Sequence, residues 1–147
     1  MIVAGCWHAA YGTEGFPTAL FELDERELVA GTIGGEAEAI VYRYCSCDRR
    51  FAYSQIGREP MVSFRDRFTG REDAVGEADV RSFAELTVAN ELDVLAYNPT
   101  FRIEHGRAIG DLFASWAATI SDAACADARA ELMIDGGRRP PRPPSST

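Results

Sequence analysis

The sequence predicts an all-α helical bundle carrying one small β-hairpin near residues 61–72. Three observations support this. Residues 79–97 place apolar side chains at helical spacing along two arcs of a wheel: Val80, Phe83, Leu86, Thr87, Asn90, Val94 and Tyr97 on one, Ala84, Val88, Leu92 and Leu95 on the other. The opening segment, Ile2 to Tyr11, is apolar or small on every side of the wheel except at His8, the pattern of a buried helix. Only Met61 to Phe68 changes to a loose alternation, followed by the turn formers Thr69-Gly70-Arg71-Glu72.

After the first helix, Gly12-Thr13-Glu14-Gly15-Phe16-Pro17-Thr18 is rich in turn formers and reads as an ordered loop, with Leu20 to Leu23 extended or irregular. Asp24 and Glu27 have the spacing of a capping box, which starts a short helix ending near Gly34-Gly35. Residues 36–51 then read as one helix with a broad apolar face containing Ala39, Ile40, Tyr42, Tyr44, Cys45 and Cys47. Beyond the hairpin and the 79–97 helix, Asn98-Pro99 interrupts the chain, because a residue before proline avoids helical geometry. A helix follows from about Thr100 to Ala118, with Phe101, Ile103, Ile109, Leu112, Phe113 and Trp116 as core contacts. Ser121-Asp122 caps a last helix to about Ile134. One domain is expected over residues 1–135, with residues 136–147 as a disordered Pro/Arg-rich tail.

Composition narrows the function. Acidic residues outnumber basic ones by 23 to 15, and a net charge of -8 disfavours a nucleic-acid partner. All 15 basic residues are Arg, which removes lysine Schiff-base and phosphate-loop chemistry. No apolar run approaches the ~18 residues of a membrane span, and no signal-peptide pattern precedes the domain, so no membrane association and a cytoplasmic location are expected. Cys6, Cys45, Cys47 and Cys125 lack the spacing of a disulfide scaffold and read as reduced thiols. A zinc site from Cys6, His8, Cys45 and Cys47 is opposed by geometry, since residues i and i+2 of a helix point about 200° apart. Cys6 or Cys45 as a nucleophile with His8 as base lacks a local signature.

The polar residues set within apolar faces are the site candidates. A lone His on such a helix is more often a hydrogen-bonded core residue than a ligand. Asn90 sits at the centre of its arc, Glu91 projects between Val80 and Ala84 on the other, and Asp93 lies at an edge. Burial raises a carboxylate's pKa, which suits Glu91 to proton transfer, although a structural hydrogen bond explains it equally.

The motif His8-Ala9-Ala10-Tyr11-Gly12-Thr13, with Ile33-Gly34-Gly35-Glu36-Ala37-Glu38 and Ala89-Asn90-Glu91-Leu92-Asp93, resembles an uncharacterised bacterial family distantly similar to HD-domain metal-dependent phosphohydrolases. The resemblance spans about residues 2–133 and implies an HD-like helical fold. His8 then matches the His of the family's His-Asp pair, and Asn90 its distant Asp. Ala9 stands where the pair's Asp belongs, Asn90 is a neutral amide, and the helix bearing the family's first His has no counterpart. Hard divalent cations prefer anionic oxygen, so the resemblance implies a dismantled metal site.

The expected function is binding of a small polar molecule in a pocket around His8 and Asn90, lined also by Tyr11, Thr13 and Glu14, without a cofactor. Catalysis is left open; if present it is hydrolase-like, with His8, Glu91 and Asp93 as catalytic candidates. The alternatives are a residual metal-dependent hydrolase, in which His8 and Asp93 hold a divalent ion, and a non-catalytic helical interaction protein. An uncovered Ile2–Tyr11 face would favour a homodimer.

Overall fold

The computed structural model describes residues 2–133, so the tail expected to be disordered lies outside the described residues. In chain order come α1 (Ile2–Trp7), a 3-10 turn (Leu23–Glu25), α2 (Arg26–Ile33), α3 (Gly35–Ser46), α4 (Arg49–Ala52), β1 (Val62–Arg65), β2 (Glu72–Val75), α5 (Glu77–Tyr97), α6 (Pro99–Ser115) and α7 (Asp122–Met133). The fold is mostly α with one two-stranded antiparallel sheet, as the periodicities predict.

Two packed clusters meet across α3. The larger joins Tyr44 to Phe64 of β1, Phe83 of α5 and Phe113 and Trp116 at the end of α6. Its aromatic rings meet edge to face, the favoured arrangement of their quadrupoles: Phe64 and Phe83 lie 4.8 Å apart at 82°, Tyr53 and Trp116 5.0 Å apart at 90°. The smaller gathers Ala4, Ala10, Tyr11, Val29, Val41 and Cys45.

The first helix is shorter than its apolar pattern predicts and is covered on one side only. It stops at Trp7, and the chain turns through Gly12, where a φ of 70° and the Pro17 carbonyl oxygen, 2.8 Å from where a Cβ would stand, exclude a side chain. Ala4, Ala10 and Tyr11 are buried, whereas Cys6 is exposed. The side bearing Cys6 is left uncovered by the rest of the chain.

Three other boundaries differ from expectation. The capping box is formed by Glu22 and Glu25, two residues before the predicted pair, and it precedes the 3-10 turn rather than the helix. The predicted 36–51 helix is two, because Cys47 leaves helical geometry to bridge Asp66, the Asp48 amide donates to the Arg65 carbonyl, and the Asp48 carboxylate caps α4 by accepting from the Phe51 amide. The hairpin extends to Val75: Asp66 accepts from the Phe68 and Thr69 amides, and the reversal runs on through Thr69, Gly70 and Arg71, so that Glu72, read as a turn residue, begins the second strand. Its register pairs Val62 with Val75 and Arg65 with Glu72, so Val62 and Phe64 face the core.

Asn98 accepts from the Phe101 amide and caps α6, with Pro99 in the first turn, so Asn98-Pro99 both ends one helix and starts the next. Ser121 caps α7 as expected, accepting from the Ala124 amide. Tyr97 and Ile103, assigned to the core by periodicity, are 84% and 83% exposed. Both flank the α5–α6 corner, where the helical pattern continues past the last residues able to cover it. No helix among the described residues is long and apolar enough to cross a membrane.

Candidate functional site

A cavity of about 660 Å³ opens where the loop after α1 faces the second half of α5 and the start of α6. This lies within the ~300–1,000 Å³ range of small-molecule sites. His8, Ala9, Thr13, Gly15 and Phe16 form one wall; Asn90, Glu91, Val94, Asn98 and Phe101 form the other; Arg49 closes the floor.

Each polar group is held by its neighbours. The His8 ring nitrogen Nδ1 lies 2.7 Å from the Gly5 carbonyl oxygen, and the ring stands edge-on to Tyr44 at 5.9 Å, so His8 enters the pocket with one nitrogen already engaged. Thr13 and Phe16 close a tight turn: the Phe16 amide contacts Thr13 Oγ1 at 3.0 Å, and the Thr13 amide donates to the Phe16 carbonyl at 2.7 Å. This turn gives the loop its order. Arg49 is the first residue of α4; its backbone amide donates to Glu14 Oε2 at 3.0 Å, and its guanidinium donates to Glu91 Oε1 and the Tyr44 hydroxyl, both at 3.4 Å. Arg49 thus ties the loop, α3 and α5 together.

Burial dominates the electrostatics. It pushes the Glu91 carboxyl above its ordinary 4.5, with Arg49 and His105 pulling the other way. A carboxyl raised by folding weakens the fold as pH climbs from its unfolded value through its folded one, because the buried form resists ionisation. Glu91→Gln is therefore expected to lose that decline in stability, measured by urea unfolding between about pH 4 and about pH 7. An unchanged slope would show that Glu91 is better solvated than its surroundings indicate. Burial likewise raises the Tyr44 hydroxyl to about 12 and the Cys45 and Cys47 thiols to about 11 and about 12. Both thiols are neutral near pH 7, and Cys45 donates its proton to the His8 carbonyl oxygen, so neither is an activated nucleophile.

The cavity brings together four of the seven predicted site residues, His8, Thr13, Asn90 and Glu91. Glu14 is exposed, and its carboxylate accepts from the Arg49 backbone amide rather than lining the cavity. Tyr11 is a correction: it turns away and donates at 2.9 Å to Glu38, a buried carboxylate that requires partners. Asp93 is a second correction, exposed and outside the lining, because two residues after Glu91 the helix has rotated by about 200°. Asp93 therefore does not join His8 in lining this cavity, and among the described residues no group of three or more His, Cys, Asp or Glu side chains is gathered to hold a metal.

Arg49, Phe16, Asn98 and Phe101 complete the pocket and were not singled out by the sequence. Asn98 and Phe101 had a signal, since the break at Asn98-Pro99 had to bring the start of α6 beside the end of α5. Arg49 had none, because its position depends on the interruption between α3 and α4.

Residues 1–49 match the model of a family described as a domain of unknown function (DUF6817). That segment contains the His8 wall and ends at Arg49, and does not include α5 or α6. No curated protein and no solved structure matches the chain.

Proposed function

We propose that this protein binds a small polar molecule in the cavity between His8 and Asn90, an HD-like pocket without its metal. The observation that carries the reading is the convergence of His8, Thr13, Asn90, Glu91 and Arg49, from three separate parts of the chain, on one cavity of about 660 Å³. Polar groups set among Phe16, Val94 and Phe101 fix a ligand's orientation while the apolar surface supplies contact area. That His8 and Asn90, the two residues matched to HD ligands, share the cavity supports the HD-like reading as well.

A thermal-shift screen of small polar molecules, nucleotides and metal salts tests the proposal. A ligand that binds only the folded chain raises its apparent stability by mass action, about 2.7 kcal/mol at a hundredfold excess over Kd. The stabilisation is expected from a small organic compound and is expected to vanish in the His8→Ala/Asn90→Ala double variant. Stabilisation that survives in the double variant would place binding elsewhere. Stabilisation by a divalent metal alone would favour the hydrolase alternative.

A further inference from the structure

We propose that this pocket takes a zwitterionic α-amino acid with an apolar side chain, its carboxylate on Arg49, its ammonium on Glu91 and its side chain against Phe16, Val94 and Phe101. The inference rests on the binding reading above and supplies the ligand class. At the floor a cation and an anion lie side by side, Arg49 Nη1 and Glu91 Oε1, with side chains only 20% and 15% exposed. Their contact, at 3.4 Å, is long for a charge-assisted hydrogen bond, so the pair is not closed upon itself.

Both groups retain bonding capacity. The Arg49 guanidinium contacts Glu91 and Tyr44 through two of the five N–H donors such a group carries, and the second oxygen of Glu91 has no protein hydrogen-bond partner among the described residues. A ligand bearing only a negative charge would face Glu91 beside its partner, and one bearing only a positive charge would face Arg49. A ligand whose opposite charges are adjacent satisfies both without breaking the pair, and adds no net charge to a partly desolvated floor. The Asn90 and Asn98 amides and the Thr13 hydroxyl lie around this floor, and the apolar side chains form the remaining wall.

Two other cavities lack this arrangement, and in a third the charged residues Arg58, Glu59 and Glu77 are exposed rather than desolvated. In the groove between α3 and the hairpin, Arg26, Arg43 and Arg65 pair with Glu38, Asp79 and Glu72, respectively. The cavity between α6 and α7 is lined by mostly apolar residues with Arg129 as its single charged group.

The test is an NMR titration of isotopically labelled protein with four probes of similar size: L-phenylalanine, 3-phenylpropionate, 2-phenylethylamine and uncharged 2-phenylacetamide. L-phenylalanine is expected to shift the His8, Arg49 and Asn90 signals and to bind at least ~10-fold more tightly than either singly charged probe. Glu91→Gln, nearly isosteric, is expected to weaken L-phenylalanine by ~10-fold and to bring 3-phenylpropionate level with it; circular dichroism checks that the variant is folded. Equal or tighter binding of a singly charged or neutral probe at the same residues would overturn the zwitterion assignment and leave the pocket standing. If none of the four shifts those signals, the assignment falls, and the compound screen above decides the pocket independently.

Discussion

Gly57→Ala is expected to destabilise the fold by about 3–5 kcal/mol, combining left-handed strain with overpacking against backbone. Gly57 has φ of +75°, and a Cβ added there would lie 2.2 Å from the Ser115 carbonyl oxygen and 3.3 Å from Trp116 Cα. Neither neighbour is a flexible side-chain end that can swing aside. Movement of this backbone would disturb Trp116, which is fully buried and donates its indole N–H to the Tyr53 carbonyl. Because a domain's stability is about 5–15 kcal/mol, the substitution removes a large share of it. Gly31→Ala provides the contrast: Gly31 lies within α2, has nothing within 4 Å of its added Cβ, and should gain about 0.5–1 kcal/mol from reduced chain entropy. Urea unfolding of the two variants measures both effects, and equal midpoints would refute the close-approach argument.

Glu38→Ala is expected to cost about 2–4 kcal/mol, the usual result of removing one partner from a buried charged network. Glu38 is 5% exposed and accepts from the Tyr11 hydroxyl at 2.9 Å and from Arg26 Nε and Nη2 at 2.7 and 2.9 Å. Arg26 in turn lies 3.5 Å above the Tyr42 ring, and the Tyr42 hydroxyl donates to Asp66 at 2.7 Å. Without Glu38, Tyr11 loses its acceptor inside the smaller cluster and Arg26 loses its bidentate partner. The Arg26 side chain is 38% exposed and can rehydrate, which places the loss toward the lower end of the range. Glu38→Gln, which keeps an acceptor without the charge, should lose less. Equal losses for the two variants in chemical denaturation would show that packing, rather than the charged bonds, governs this position.

The residues explain how far the sequence could be read. Helices α5, α6 and α7 were legible because long apolar periodicity and local caps at Asn98 and Ser121 specify them without help from distant parts of the chain. The hairpin was legible from its alternation, while its length depended on a side-chain turn at Asp66. The break at Cys47-Asp48 was hidden because it is made by a bridge to Asp66, 19 positions away in sequence from Cys47. Arg49 was hidden with it. His8, Asn90 and Glu91, which line one cavity, were picked out in the sequence because a polar side chain on an apolar arc must be bonded or functional. The same rule misassigned Tyr11, whose hydroxyl is satisfied by a carboxylate on α3, and the wheel alone could not choose between those two destinations.

The two walls of the pocket have different reach along the chain. One wall, with His8, Thr13 and Phe16, lies wholly within the segment that matches the unknown-function family, and Arg49 closes that segment; the facing wall, from Asn90 to Phe101, lies wholly outside it. A chain alike over the matched segment alone would share the first wall and supply its own second one. Under the proposed binding reading, the two walls are then free to change separately. Arg49 and Glu91, one from each side, are where the two parts must agree.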